Sequence, residues 1–387
     1  MKAGCSAAAF SVPKPVAGNR QNRYNESAWK QTGGTQVKPG TLQMARHQSV
    51  RRKQNHGMSR KRICCALLFA LMLTVCAGCS SEKTPERISQ VGFFLDTVIT
   101  LSAFTEDVQA LKDALEECGR YERLLSRTLE GSDVWRVNHA GGAPVEVSDD
   151  TAAILRCALD IARRSGGAFD ITIAPVSSLW DFTSGEAVLP DAGVIAEAAA
   201  LVDYTRLSLE GNTVTLPEGM MIDLGGIAKG YIADRLKEYL ENRGIRHAIL
   251  SLGGNVVSIG RKPDGTDWTV GIQDISGARG AYMLKARSAG GSVVTSGIYE
   301  RGFDLDGVRY HHLLSPETGW PVQNALASVT VFSDSSMQGD ALSTAAFVLG
   351  GSEGLNLIES LDGVEAVLIT RDRQIIRTSG ADDWLIP

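Results

Sequence analysis

A thirteen-residue apolar run at positions 63–75 divides this chain into two parts of opposite character. It follows the basic triplet Arg60-Lys61-Arg62 and leads into Cys76-Ala77-Gly78-Cys79. A membrane-spanning helix needs about 20 apolar residues, so the run is too short for a comfortable span. A basic flank, a short apolar stretch and small residues before a cysteine together read as a secretory signal. The alternative, a buried core strand or helix, sits poorly beside a triply basic flank and a polar linker. Charge changes at the same point. Residues 1–78 carry 13 Lys and Arg and a single acid, Glu26, whereas residues 79–387 carry 26 bases and 43 acids. The net charge of -5 therefore averages a leader at +12 with a body at -17. Such a body lacks the basic excess of a broad nucleic-acid face, so no nucleic-acid partner is expected.

This reading sets the expected domains. Residues 1–57 are polar, basic and without helical or strand period, and are read as a mis-assigned or disordered extension. Met58 is the expected initiator, 58–78 the signal peptide, 79–86 a tether, and 87–387 one folded domain. Cys76-Ala77-Gly78-Cys79 resembles a bacterial lipoprotein cleavage box with Cys79 as the lipidated residue, although Leu is commoner where Cys76 stands. The expectation is an exported lipoprotein of the bacterial cell envelope, anchored by acyl chains, on the periplasmic side of the inner membrane. Of seven cysteines, only Cys118 and Cys157 then remain inside the domain. Nothing in their spacing pairs them.

Within 87–387 the apolar periods are a mixture of helical and strand type. Phe94 to Phe104 alternates as a strand. Helical spacing follows at 106–126, with Val108, Leu111, Leu115 and Cys118 on one side, and again at 149–165, capped by Asp149 or Asp150 and ended by Gly166-Gly167. A third helix is expected over 227–242, with Ala228, Ile232, Leu236 and Leu240 as its stripe. Strands are expected near 247–251, 254–260, 267–273, 280–286, 293–297, 308–314 and 325–332. Helices near 338–349 and 352–360 then precede a hairpin of 364–370 with 373–378. The absence of regular strand–helix alternation predicts an α+β fold with a largely antiparallel sheet and flanking helices.

Four glycine-containing polar islands interrupt these periods. Ser165-Gly-Gly-Ala-Phe-Asp170 can bring backbone close to a ligand that Asp170 could bond; the plainer alternative is a helix stop, a strand and a core Trp180. Asp223-Leu-Gly-Gly-Ile-Ala-Lys-Gly230 runs into a helix start. Its amides and Lys229 could cradle phosphate, although it has neither the Walker A nor the dinucleotide glycine spacing. Tyr310-His311-His312 precedes a Pro316-Glu-Thr-Gly319 turn. Alternation turns one of the two histidines inward and one outward, so one can serve in acid–base chemistry. Asp340 and Thr344 are one helical turn apart and could offer two hard oxygens to Mg2+, or Asp340 could be a helix cap.

Taken in this order, Gly167-Ala-Phe-Asp170, Asp223 to Gly230, His312-Leu-Leu-Ser-Pro-Glu-Thr-Gly319 and Asp340-Ala-Leu-Ser-Thr344 resemble the FAD:protein FMN transferase family, the ApbE flavin transferases. The resemblance covers essentially all of 87–387. It implies a Mg2+-dependent enzyme that splits FAD, releases AMP, and attaches FMN by a phosphoester to a Thr or Ser of a target protein. The implied target is an extracytoplasmic redox subunit of quinone-reductase or Rnf type. Carried over residue by residue, Mg2+ falls to the Gly226 carbonyl, Asp340 and Thr344. The flavin contacts fall to Leu95, Ala168, Phe169, Asp170, Asp223 and Lys229, and the catalytic histidine to His312 rather than His311.

Two departures from the family pattern bear on function. Leu95-Asp96-Thr97 replaces a usual Met-Gly-Thr and puts a charge at a glycine position. Thr128 stands where many members carry a Tyr that stacks on the flavin. Some spirochaete lipoprotein members act mainly as FAD pyrophosphatases, so hydrolysis of FAD to FMN and AMP is the alternative activity. A surface flavin-binding lipoprotein without turnover is the third.

Overall fold

The computed structural model describes residues 85–275 and 280–387. The apolar run at 63–75, the Cys76–Cys79 box and the expected tether up to residue 84 lie outside them. Among the described residues no helix is long and apolar enough to cross a membrane.

Eight antiparallel strands form the frame. They are β1 (Arg87–Phe94), β2 (Thr97–Phe104), β6 (Ala248–Leu252), β7 (Asn255–Ile259), β10 (Ser292–Gly297), β13 (Leu326–Ser333), β14 (Glu365–Thr370) and β15 (Ile375–Arg377), in that spatial order. One face is covered by helices α1 (Val108–Leu125), α6 (Ala228–Asn242), α7 (Ser336–Leu349) and α8 (Gly351–Glu359). The other carries a three-stranded sheet of β16 (Leu385–Ile386), β9 (Tyr282–Ser288) and β8 (Trp268–Gln273). Side chains of β14 alternate between these layers. Ala366 and Leu368 join the helix-side core, while Val367 and Ile369 join the other. The strand period of two produces this sorting. A sheet buried on both faces also explains why every residue of β13 is buried.

The α+β expectation with a largely antiparallel sheet holds, and several local expectations need correction. The alternating stretch Phe94 to Phe104 is not one strand. Leu95 and Asp96 both have φ of 55° and turn the chain between β1 and β2. A two-residue hairpin of type I′ has positive φ at both central positions, and neither residue announces that as Asn-Gly would. Helix α3 (Asp149–Arg164) is capped by Ser148, which accepts from Thr151 N–H, rather than by Asp149 or Asp150. Val108 lies exposed at the start of α1. The expected strand 308–314 is shorter: β12 (Val308–His311) pairs with β11 (Gly302–Leu305) and ends at His311. Short helices at α2 (Asp133–Asn138), α4 (Ala174–Ser177) and α5 (Ala192–Ala199) escape a period search because none reaches three turns. In α4, Pro175 sits in the first turn, where its missing N–H costs nothing. Cys118 and Cys157 are both free, and burial pushes their thiols up to about 12 and about 11.

An aromatic cluster fixes the β11–β12 hairpin. Trp180 stacks near Phe182 and Tyr310, meets Trp320 edge-on, and donates Nε1–H to the Gly319 carbonyl at 3.1 Å. Gly319 has φ of 71°, and a Cβ there would sit 2.7 Å from Ile195 of α5. The core Trp of the plainer reading is therefore present, preceded by the short helix α4 rather than by a strand, and it braces the segment that carries both histidines.

His311 is the inward member of the pair. It is fully buried, sits edge-on to Phe347, and its Nε2 contacts the Val322 carbonyl at 3.0 Å. Burial, aided by the charges of Arg371 and Arg309, pushes its imidazole down to about 4 against the opposing Val322 hydrogen bond. The unfolded chain takes up a proton near pH 6.5, whereas the folded chain resists until about 4. Stability is therefore lost as pH falls through that window. Urea denaturation at pH 7 and pH 4.5 should show His311→Asn losing about 2 kcal/mol less than the parent over that interval. An equal loss in both proteins would contradict this role for His311.

Candidate active site

The site lies where α6 and α7 begin. Gly230, in the first turn of α6, is packed against the start of α7. A Cβ there would stand 2.2 Å from the Ser336 carbonyl oxygen and 2.8 Å from Met337 Cα. Only a glycine permits backbones this close. The contact brings the second and fourth islands together. Asp340, 4% exposed, accepts the Gly230 N–H at 2.9 Å through Oδ2. Asp340 is thus a helix cap, but of α6; its own helix is capped by Ser335. Among the described residues its Oδ1 has no hydrogen-bond donor.

Lys229 donates Nζ–H to the Gly225 carbonyl at 3.0 Å and lies 3.7 Å from Asp340 Oδ2. Thr344 follows Asp340 by one turn, and its hydroxyl lies 3.3 Å from Ser296 Oγ of β10. A Cβ on Gly226 would lie 3.2 Å from the Phe169 ring and 3.8 Å from Thr344 Oγ1, so residues of three islands meet at Gly226. Phe169 is buried, and its N–H is held by Ser165 Oγ at 3.1 Å, which shapes the turn containing Ala168.

Among the described residues no three His, Cys, Asp or Glu side chains gather in a metal-binding group. The α6–α7 junction instead offers one carboxylate, one hydroxyl and backbone carbonyls. This all-oxygen set has an unclaimed carboxylate oxygen, and it fits Mg2+, which uses one or two carboxylates and completes its shell with water and substrate phosphates.

His312 begins the loop after β12 and is half-buried. Its N–H donates to the Arg301 carbonyl at 3.3 Å, and its Nδ1 lies 3.4 Å from the same oxygen. A carbonyl can only accept, so this contact favours hydrogen on Nδ1 and leaves the Nε2 lone pair available. Burial pushes the imidazole down to about 3, helped by the positive charges of Arg301, His311 and Lys229 and opposed by the Arg301 carbonyl. Arg301 also donates Nη2–H to the Asp96 carbonyl at 3.3 Å, which ties the Leu95–Asp96 turn to the His312 loop. Leu95 N–H is held by Glu122 of α1 at 2.7 Å.

Three expected ligand contacts are committed differently. Both oxygens of Asp170 are used inside the protein: Oδ1 takes Thr172 N–H and hydroxyl at 2.8 and 2.7 Å, and Oδ2 takes Tyr204 N–H at 2.8 Å. Burial raises its pKa against those bonds. Asp223 accepts Gly225 N–H at 2.8 Å and the Ser177 hydroxyl at 2.9 Å, and pairs with Arg127 at 3.4 Å. Thr128 is exposed and, among the described residues, bonded only to Ser126, but its neighbour Arg127 reaches Ser178 at 2.6 Å. Arg127 and Arg301 were missed in the sequence reading. The only signal for Arg301 was a base between Gly297 and Gly302; for Arg127 it was a base beside the Thr128 position.

Comparison with known proteins identifies the family. A model of the ApbE family matches residues 95–368. An FAD:protein FMN transferase of Klebsiella pneumoniae is 36% identical over 285 residues, covering 73% of this chain and 88% of that protein. One from Treponema pallidum is 36% identical over 330 residues, covering 79% and 91%. Among solved structures, the ApbE protein of Thermotoga maritima superposes with a TM-score of 0.72 at 30% identity, covering 78% of this chain and 100% of that one. The flavin transferase ApbE of Vibrio cholerae gives 0.71 at 26% identity, covering 78% and 99%.

Proposed function

The chain belongs to the ApbE family, and on that premise we propose that it transfers FMN from FAD to a Thr or Ser hydroxyl of a protein acceptor, releasing AMP. The observation that carries this reading is the meeting of Gly226, Phe169, Asp340 and Thr344 at the α6–α7 junction, with Lys229 there and close enough to His312 to lower its pKa.

Each residue then has a role its surroundings support. Gly226, Asp340 and Thr344 would hold Mg2+, which supplies positive charge to the oxygens of the FAD diphosphate. Lys229 faces those oxygens beside the metal. Leu95, Ala168 and Phe169 bound the flavin on apolar surface, with Asp223 and Thr128 at its polar edge. Asp170 acts through the turn it holds, since both its oxygens are already engaged.

His312 takes the proton. At neutral pH its imidazole is uncharged, the form a general base requires, and Nε2 is its open nitrogen. The acceptor hydroxyl gives its proton to Nε2 as its oxygen attacks the FMN phosphorus. The bridging P–O bond breaks, and AMP leaves with the bridging oxygen and the bonding electrons. The cations that depress His312 in the free protein, Arg301 and Lys229, are offset by a bound diphosphate, which moves the imidazole back toward its working range.

The acceptor is an extracytoplasmic redox subunit of quinone-reductase or Rnf type. The enzyme reaches it as an exported lipoprotein held through Cys79 on the periplasmic side of the inner membrane. Cys79→Ser should lose incorporation of labelled palmitate in cells; retained label would remove Cys79 from this role. For the activity, FAD and Mg2+ are incubated with the protein, with and without such a subunit, while AMP, FMN and acceptor mass are followed. AMP should accumulate with a matching gain of one FMN on the acceptor, and His312→Ala should lower the rate by about 10²–10⁴-fold while still binding FAD. Free FMN and AMP at full rate without acceptor would instead assign FAD hydrolysis. FAD bound without any AMP would exclude turnover.

A further inference from the structure

Asp234 lies on the second turn of α6, on the side that meets α7, and no role in the transfer reaction falls to it.

Among the described residues, both oxygens of the Asp234 carboxylate are engaged by the start of α7. Oδ1 accepts Ser336 N–H at 2.8 Å, and Oδ2 accepts Met337 N–H at 3.0 Å and the Ser335 hydroxyl at 2.9 Å.

These bonds complete a reciprocal arrangement. Asp340 of α7 caps the first turn of α6 through Gly230 N–H, and Asp234 of α6 caps the first turn of α7. Ser335 Oγ takes the next amide, Gln338 N–H, at 3.3 Å. The first amides of α7, which no helical carbonyl can reach, are thus supplied with acceptors, and each carboxylate faces the positive end of the other helix. Gly230 lies between the two bonds and sets the separation of the backbones.

We propose that Asp234 is a positioning residue for the metal site: by holding the start of α7 against α6, it fixes Asp340 and Thr344 opposite Gly226. The proposal rests on the reading of Gly226, Asp340 and Thr344 as metal ligands. Thr344 is two turns along α7 from the amides that Asp234 holds, and Asp340 is one turn along. A tilt of α7 at its start moves both oxygens away from Gly226, because Gly226 belongs to the α6 side of the junction.

The test is Mn2+ binding to the full chain, read from the loss of the free-ion EPR signal well below the melting temperature. The variants are Asp234→Ala, Asp234→Asn and Asp340→Ala, each with its Tm measured. Asp234→Ala should weaken Mn2+ roughly 10- to 100-fold, the range for partners that orient metal ligands. Asp234→Asn, which keeps one acceptor oxygen, should fall between it and the parent, and it stands in if the alanine variant does not fold. A lowered Tm with parental Mn2+ affinity in both Asp234 variants, while Asp340→Ala loses the metal, overturns the positioning role and leaves the metal site standing. Parental affinity in Asp340→Ala overturns the metal site and the proposal with it.

Discussion

The backbone approach at Gly230 is the constraint on which the site depends. Two helices that are distant in sequence begin at one point, and the side chain that glycine lacks is what lets them. Helix starts carry unpaired amides and the positive end of the helix dipole. Placing two of them together is unfavourable unless negative groups stand between, and Asp340 and Asp234 do so. The same crowding of positive backbone makes the junction suited to a phosphate-bearing ligand. One arrangement therefore both stabilises the fold and prepares the chemistry.

The second element is a histidine held neutral by its surroundings. Burial and nearby cations lower His312, and the Arg301 carbonyl orients it. The loop that carries it is braced from behind by the Trp180 cluster and joined in front to the Leu95–Asp96 turn through Arg301. The departure from glycine at Asp96 is accommodated by a left-handed turn whose preceding residue, Leu95, is held by Glu122. The charge at Asp96 thus sits at the tip of a defined hairpin.

The frame of the fold was legible because strand and helix periods report burial directly. The glycine islands were legible because glycine between periodic segments marks turns and close approaches. The purpose of a particular glycine was not: Gly230 reads as one more residue of an island until α7 is seen against it. Asp340 shows the same limit. Its spacing to Thr344 was readable, but the helix it caps lies 110 residues away in sequence. Asp170 looked free to meet a ligand because its partners Thr172 and Tyr204 come together only in the folded chain. The Leu95–Asp96 turn was hidden because alternation continues through it without a glycine signal.

The central claim is that the α6–α7 junction holds a divalent cation beside His312. Anomalous diffraction from crystals of His312→Ala grown with Mn2+ and FAD tests it most directly. The account predicts a Mn2+ peak bounded by the Gly226 carbonyl, Asp340 and Thr344, in contact with the FAD diphosphate. A well-occupied peak elsewhere, or bound FAD with no cation at the junction, would contradict it.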